Sequence, residues 1–268
     1  VHEEKGEAGL ARLFSIGKGG GKMFRWGEHL EALGNGVSVL VNETHHFGTD
    51  TILLADFCLP VKGKQAVELG AGCGAISMIW LREQPPAHIT AVEIQEEAVD
   101  LLRRTVKYNE KEELVTVLRE DLRQLQGKLP MGAMDLVACN PPYKTVGAGL
   151  VNAEEGKRIA RHEVACTIED VCLSAAGLLK YGGSLCLCHR VERMCDVIEA
   201  MREAGLEPKR MRLVQQRAEK PAKLFLLEGK KGGRPGLVME PVLLIEDETG
   251  AYSGEMKRIY GSYRKEQE

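Results

Sequence analysis

Ala66-Val67-Glu68-Leu69-Gly70-Ala71-Gly72-Cys73-Gly74 is the segment from which the architecture of this chain can be inferred. Its first residues are mostly apolar, three glycines follow at alternate positions, and Ala75–Arg82 continues with a helical pattern. A buried strand that runs through a glycine-rich turn into a helix is typical of open α/β sheets. Glycines in such a turn let the backbone approach a ligand at the helix N-terminus. We therefore predict that Gly70, Ala71 and Gly72 form a cofactor-binding turn.

The residues around the glycines narrow the choice of cofactor. Gly70, Gly72 and Ala75 satisfy the dinucleotide pattern G-x-G-x-x-[GA], which is a weak signal by itself. Glu68 is predicted at the mouth of the turn, where a carboxylate would repel a pyrophosphate but could hydrogen-bond a cationic amino acid. With Gly74 the pattern reads E-x-G-x-G-x-G, which resembles the first motif of S-adenosylmethionine-dependent methyltransferases. Glu68 is therefore a candidate cofactor residue.

The next two units repeat the alternation of strand and helix. Ile89–Glu93 is a predicted strand whose terminal acid could accept hydrogen bonds from two ribose hydroxyls. Glu97–Asn109 is an amphipathic helix with an apolar face that belongs to the core. A third strand, Leu114–Leu118, leads to Asp121 and Leu122. Asp121 could accept from an adenine amino group, or it could be a solvated loop acid.

Asn140-Pro141-Pro142-Tyr143 follows the apolar run Met134–Cys139, which reads as a buried parallel strand. Ligands bind at the carboxyl edge of open α/β sheets. The Asn140 side-chain oxygen and the Pro141 carbonyl could each accept one N–H of a planar amine, and Tyr143 could stack on its ring. The alternative is a proline-rich turn with an incidental aromatic residue. We predict Asn140, Pro141, Pro142 and Tyr143 as catalytic, with Asn140 also beside the cofactor.

The chain is expected to contain a flexible arm at residues 1–22, a small cap at 23–62 and a catalytic domain at 63–268. Val37–Val41 is a predicted strand, and Thr51–Leu59 is a predicted helix with Thr49 or Asp50 as its cap. His45 and His46 are adjacent, and adjacent positions seldom face one ion, so they favour a loop pair over a metal site.

The carboxyl-terminal third alternates helices and strands and carries most of the positive charge. We predict helix Glu163–Leu179 closed by Tyr181-Gly182-Gly183, strand Ser184–His189, helix Arg193–Ala204, a hairpin of Arg210–Gln216 and Lys223–Glu228, and an extended segment Leu237–Ile245. Residues 202–234 contain ten Lys and Arg and four acids, a charge of +6, which leaves −9 for the rest of a chain whose net charge is −3. This basic edge would suit a phosphate backbone, with chance clustering as the alternative.

Composition is that of an ordinary globular protein. It is 44% hydrophobic and 28% charged, and no apolar run approaches the roughly 18 residues of a membrane span. The eight cysteines include no C-x-x-C pair, so we expect buried thiols in a reducing cytosol and no zinc. We predict no metal, no membrane contact and no obligate protein partner.

From Glu28 to Tyr260 the chain resembles the adenine N6-methyltransferases that act on bacterial valine tRNA beside the anticodon. The matching stretches are Phe47-Gly48-Thr49-Asp50 with Ile52-Leu53-Leu54-Ala55, Val67–Gly74, Asn140–Tyr143, and Ala160-Arg161-His162-Glu163. The resemblance implies a class I methyltransferase fold, which is a Rossmann-like α/β sheet of seven strands, mostly parallel, with an antiparallel closing hairpin and helices on both faces.

The same resemblance implies S-adenosylmethionine as the cofactor and RNA, with tRNA favoured, as the partner. It places Gly70 and Gly72 at the cofactor turn, Glu93 at the ribose and Asp121 at the adenine of the cofactor. Thr49 and Asp50 would lie near the cofactor, and the Asn140–Tyr143 segment would hold the target amine.

The mechanism implied is direct methyl transfer to an adenine amine that is splayed out of an RNA loop and stacked on Tyr143. Alignment alone could supply most of the rate, without a strong general base. Methylation of guanine N2 in ribosomal RNA, of glutamine N5 in a protein, or of adenine in DNA stays open. A non-catalytic RNA-binding module and a dinucleotide-dependent oxidoreductase are the alternatives from other classes.

Overall fold

A mixed β-sheet forms the centre of the computed structural model, which describes residues 24–59, 61–141 and 166–261. In chain order the strands are β1 (His29–Gly34), β2 (Val37–Val41), β3 (Gln65–Leu69), β4 (His88–Glu93), β5 (Val115–Arg119), β6 (Met134–Cys139), β7 (Leu179–Arg190), β8 (Leu206–Gln215), β9 (Leu224–Lys231), β10 (Val238–Met239) and β11 (Leu243–Leu244). The helices are α1 (Thr49–Phe57), α2 (Ala75–Glu83), α3 (Glu96–Tyr108), α4 (Ile168–Leu178), α5 (Met194–Glu203) and α6 (Gly254–Tyr260).

The order of the long strands in the sheet is β8-β9-β7-β6-β3-β4-β5. Strands β5, β4, β3, β6 and β7 are mutually parallel, and β9 runs antiparallel between β7 and β8. The short β10 and β11 both pair with β8. The predicted mostly parallel sheet with an antiparallel closing hairpin is confirmed, and in the described residues β10 and β11 raise the number of strands from the predicted seven to nine. The strand order reverses at β3, so the crevice expected in such sheets lies beyond its carboxyl end.

Successive residues of a strand point in turn to two hydrophobic layers, one on each face of the sheet. In β6, Leu136 and Ala138 pack in the layer that contains α1, α2 and α6, whereas Val137 and Cys139 pack with α4 and α5 on the other face. This period of two is the reason that both faces of the sheet need helices. The predicted arrangement with helices on both faces is confirmed.

The amino-terminal segment is fastened to the first of these layers. The Leu40 backbone N–H donates to Thr105 Oγ1 of α3 at 3.0 Å, and the buried Trp80 indole donates to the Ala55 carbonyl of α1 at 3.2 Å. Arg82 donates to the Leu33 carbonyl at 2.8 Å. Helix α1 is therefore bonded to α2 through Trp80. The division into a cap at 23–62 and a domain at 63–268 stays a prediction, and residues 1–22 lie outside the described residues.

The boundary between α4 and β7 differs from the prediction. Helix α4 begins at Ile168, where Thr167 forms a capping box with Asp170, and residues 163–165 lie outside the described residues. Strand β7 begins directly at Leu179 and continues through Gly182 and Gly183. These glycines were predicted to close the helix; instead Gly183 approaches the Met134 carbonyl so closely that a Cβ would lie 2.9 Å from it. The glycines accommodate a register shift between β6 and β7.

Three further differences concern β1, α6 and the start of α1. The sequence did not predict β1 or α6. Helix α1 begins at Thr49, two residues earlier than predicted, and its N-cap position is Gly48 without a side-chain cap. The predicted capping role of Thr49 or Asp50 is therefore wrong, since both lie inside the first turn.

None of the helices in the described part of the chain combines the length and apolarity that crossing a bilayer requires.

Candidate active site

Neighbouring strands bring three of the predicted site residues to one edge of the sheet. Leu69 of β3 is in register with Val92 of β4 and with Cys139 of β6. Gly70, Glu93 and Asn140 therefore stand at the same level on adjacent strands, which lie about 4.8 Å apart. Asn140 thus borders the crevice that the glycine turn forms.

The glycine turn has the backbone conformation that only glycine adopts without strain. Gly70, Gly72 and Gly74 have φ of 67°, 53° and 87°. A Cβ at Gly70 or Gly72 would point into open space, whereas one at Gly74 would lie 2.1 Å from Leu102 Cδ1. The first two glycines therefore face the space that a ligand would fill, and the third lets α2 pack against α3. The Ala71 N–H, which donates to the Val92 carbonyl at 2.9 Å, fixes the turn to β4.

Glu93 connects this turn to the end of β4. Its buried carboxylate accepts from the backbone N–H of Gly72 at 2.9 Å, of Ile94 at 2.9 Å and of Gln95 at 2.8 Å. A carboxylate accepts about four hydrogen bonds. Since Oε2 accepts only the Gly72 bond among these, it retains capacity for a further donor, as the predicted contact with a ribose hydroxyl requires.

Glu68 is buried and bonded to α2, and its predicted contact with the cofactor stays a prediction. Its carboxylate is only 2% exposed and accepts from the Ser77 N–H at 2.9 Å and from the Ser77 hydroxyl. Burial raises its pKa to about 7, although the bonds from Ser77 oppose that shift. Alternation along β3 turns Glu68 toward the same face as Ala66. The carboxylate is therefore bonded to the first turn of α2.

Asp121 follows β5 at the same edge and is bonded to its own loop. It accepts from the Arg123 backbone N–H at 2.9 Å and from the Arg123 guanidinium at 2.6 Å. Arg123 lowers the pKa of this carboxyl group, mainly through the side-chain hydrogen bond. Leu122 packs against the second layer, and its carbonyl accepts from Ser174 Oγ at 2.8 Å. Contacts of Asp121 and Leu122 with the cofactor stay predictions.

Asn140 contacts the first turn of α1. Its side-chain Nδ2 donates to Asp50 Oδ2 at 3.2 Å and to Thr51 Oγ1 at 3.0 Å. Asp50, predicted beside the cofactor, is thus in direct contact with the predicted catalytic amide. Thr49 instead shares a hydrogen bond with the Tyr260 hydroxyl at 3.0 Å.

The sequence did not point to Thr51 or Tyr260. Thr51 directly follows the matched Phe47–Asp50 stretch, so the motif could have been extended to include it. No local pattern predicts the Thr49–Tyr260 contact, because it joins residues 211 positions apart. Pro141 is buried beside Asn140. Pro142 and Tyr143 lie outside the described residues, as do the positions of Arg161-His162-Glu163.

Several cations of the basic carboxyl-terminal edge, residues 202–234, form contacts within the protein. Arg210 pairs with Glu228 at 2.8 Å, and Arg212 pairs with Glu255 at 2.6 Å. Lys231 donates to two carbonyl groups at the end of α4. Sequence counting could not separate these structural cations from those that face solvent.

Lys220 and Lys223 are exposed in the turn between β8 and β9. Leu224, directly after this turn, is in register with Val214 of β8 and with Arg190 of β7. Strand β7 ends at Arg190, at the same edge as Asn140, so the turn projects from the edge that carries the site.

His45 and His46 lie in the loop before α1, as predicted. His45 Nε2 is 3.6 Å from a carboxylate oxygen of Glu97. In the described ranges, no three His, Cys, Asp or Glu side chains are grouped so that they could hold a metal ion.

The fold is that of the Rossmann-like methyltransferases. The chain belongs to the methyltransferase small domain family. The model of this family matches residues 43–203. It is 29% identical over 211 residues to the tRNA1(Val) (adenine(37)-N6)-methyltransferase of Tolumonas auensis, which covers 78% of this chain and 85% of the relative.

Two solved structures have the same fold. A protein from Agrobacterium tumefaciens, described as a predicted O-methyltransferase, matches with a TM-score of 0.65 and 21% identity over 80% of this chain and 97% of its own. A geranyl diphosphate C-methyltransferase from Streptomyces coelicolor, in complex with S-adenosyl-L-homocysteine, matches with a TM-score of 0.50 and 11% identity over 68% of this chain and 78% of its own.

The chain is therefore an S-adenosylmethionine-dependent methyltransferase, as its family and its relative indicate. The residues present fit this cofactor. Gly70 and Gly72 leave the space beside the backbone open, and Glu93 retains acceptor capacity for a hydroxyl group. The glycine turn would hold the amino acid part of the cofactor, and Glu93 would hold the ribose.

Proposed function

We propose that this enzyme methylates the exocyclic N6 amine of an adenine in tRNA. The observation that carries the proposal is the orientation of Asn140, whose amide nitrogen faces Asp50 and Thr51. The amide oxygen is the acceptor of this carboxamide, and we assign it to an N–H donor of the substrate. The name of the Tolumonas auensis relative, which specifies adenine 37 of tRNA1(Val), supports the choice of amine and of RNA.

Two acceptors on adjacent residues are enough to place the amine. The Asn140 oxygen and the Pro141 carbonyl each accept one N–H of the target, so the nitrogen lone pair is directed out of the ring plane. S-adenosylmethionine supplies an electrophilic methyl group when it is bound. Holding two reactants in line contributes on the order of 7–11 kcal/mol, so the chain needs no strong general base. The surplus proton passes to solvent after the new bond has formed.

The turn between β8 and β9 is the proposed contact for the tRNA backbone. Lys220 and Lys223 are exposed there, at the edge of the sheet that carries Asn140. Phosphate contacts of this kind position an RNA without reading its sequence. The proposal also places the enzyme in the cytosol, where tRNA is found and where the eight free cysteines would stay reduced.

One assay distinguishes this proposal from the alternatives. The protein is incubated with total tRNA and methyl-labelled cofactor, and the RNA is then digested to nucleosides. We expect label in N6-methyladenosine, and label in N2-methylguanosine or in protein would overturn the choice of substrate.

The matched control for that assay is Asn140→Ala. We expect it to abolish turnover but to bind S-adenosylhomocysteine as the unsubstituted enzyme does, measured by titration calorimetry. Binding of tRNA with no methylation by the unsubstituted enzyme would indicate an RNA-binding module. Tight binding of NAD in place of S-adenosylhomocysteine would indicate an oxidoreductase.

A further inference from the structure

We infer that Asp50 and Thr51 fix the Asn140 carboxamide in one of its two orientations and thereby select substrates that present an N–H donor. The inference rests on the proposed function and names the part of the site that distinguishes an amine from a carbonyl group. Asp50 and Thr51 are positioning residues here, because they act on the substrate through Asn140.

A carboxamide has nearly the same shape when it is rotated by half a turn, so its neighbours decide which end faces the substrate. Nδ2 of Asn140 lies 3.2 Å from Asp50 Oδ2 and 3.0 Å from Thr51 Oγ1. An ionised carboxylate only accepts hydrogen bonds. Rotation would bring the amide oxygen to the Asp50 carboxylate, so two acceptors would face each other. Thr51 contributes a second acceptor, but its hydroxyl could donate after such a rotation. Of these two residues, Asp50 is therefore the one that opposes the rotation.

The two positioning residues are themselves held on a packed helix. The other carboxylate oxygen of Asp50, Oδ1, accepts from the Thr51 backbone N–H at 2.9 Å. Gly48 makes room for this carboxylate, since a Cβ at that position would lie 2.7 Å from Asp50 Oδ1. The bonds of α1 to Trp80 and Tyr260 limit its movement. The orientation of Asn140 is therefore set by a rigid element that is separate from the chain segment after Pro141.

The consequence is selectivity between substrates. With the oxygen of Asn140 toward the substrate, an adenine amine gains a hydrogen bond. A carbonyl at the same ring position, as in inosine, would meet a second acceptor. Rotation of the amide would accommodate inosine only with loss of both bonds from Nδ2. A site that hydrogen-bonds a specific group rejects analogues without it strongly. We therefore expect tRNA with inosine at the target position to bind poorly.

The test uses Asp50→Asn, which can turn an NH2 group toward Asn140 and so permits rotation, together with Thr51→Val and Thr51→Ser. We expect Asp50→Asn and Thr51→Val to lower kcat by about tenfold or more, the scale of one lost hydrogen bond, with Thr51→Ser close to the unsubstituted enzyme. Inhibition by inosine-containing tRNA should become several-fold stronger in Asp50→Asn. Thr249→Val, a threonine in the loop after β11, is the matched control.

Three readouts separate this role from others. Loss of S-adenosylhomocysteine binding in Asp50→Asn would make Asp50 a cofactor ligand and overturn the inference. An unchanged kcat and an unchanged preference against inosine would also overturn it. A third readout needs no methyl transfer. The side-chain NH2 resonances of Asn140, assigned by their loss in Asn140→Asp, should shift in Thr51→Val and Asp50→Asn. Their constancy would contradict the orientation even if the proposed substrate proved wrong.

Discussion

The Glu68 carboxylate accepts two hydrogen bonds from Ser77, one from its backbone N–H and one from its hydroxyl, inside the first turn of α2. The pair joins the end of β3 to the helix that follows the glycine turn. Glu68 therefore links the strand before the glycine turn to the helix after it.

This pair predicts a specific dependence of stability on pH. Burial raises the pKa of Glu68 to about 7 in the folded protein, above its usual value of 4.5. The unfolded chain ionises first as the pH rises, so the contribution of Glu68 to the free energy of unfolding is complete below about pH 4.5. It is lost between about pH 4.5 and 7, and the loss is on the order of 3 kcal/mol. Glu68→Gln should remove this part of the pH profile in urea unfolding experiments. Parallel profiles for the two proteins would contradict the assignment.

Two glycines of the same turn should respond differently to substitution. Gly72→Ala places its Cβ in open space at a positive φ, so we expect a stability loss of about 1–2 kcal/mol and a much weaker affinity for S-adenosylhomocysteine. Gly74→Ala drives its Cβ against Leu102 as well, so it should lose more stability. Urea unfolding and titration calorimetry on both variants measure the contrast. A larger loss of stability in Gly72→Ala would mean that the open space beside it is filled by protein.

The sequence predicted the elements that have local signals and missed contacts between distant segments. Four candidate site residues could be recognised because each follows an apolar run, and parallel strands bring such ends to one edge. They are Gly70, Gly72, Glu93 and Asn140. The bonds of Glu68 to Ser77 could not be predicted, since the face of a strand residue depends on packing with α2. The glycines at 182 and 183 were interpreted as a helix end because the register shift of β7 has no signal of its own.

Charge clustering was informative only in part. Counting along residues 202–234 gave a basic edge, but Arg210 and Arg212 form ion pairs with acids that are close only in the folded chain. The contact of Asn140 with Asp50 spans 90 positions and could not be inferred from either motif separately.

The exposed lysines of the β8–β9 turn provide the third prediction. Replacing both Lys220 and Lys223 by Ala should weaken tRNA binding, and the slope of log affinity against log salt should fall by about 1 for each phosphate that the protein no longer binds. Filter binding at several salt concentrations measures the slope. Lys230→Ala is the control, because this exposed lysine lies toward the other end of β9, in register with Ser184. An equal effect of the control would show that the lysines act through overall charge.

The last prediction concerns Tyr260, which is buried and bonds Thr49 in the turn that carries Asp50. Tyr260→Phe removes only the hydroxyl, so the loss of stability should be about 0.5–1.5 kcal/mol, the usual net contribution of one hydrogen bond. If α6 holds the first turn of α1, kcat should also fall, while the affinity for S-adenosylhomocysteine stays unchanged. Tyr252→Phe is a matched control, since that ring packs against Tyr260 at a centroid distance of 5.2 Å and lies outside α6. A lower stability with unchanged kcat would limit α6 to a structural role and would leave Asp50 and Thr51 as the residues that orient Asn140.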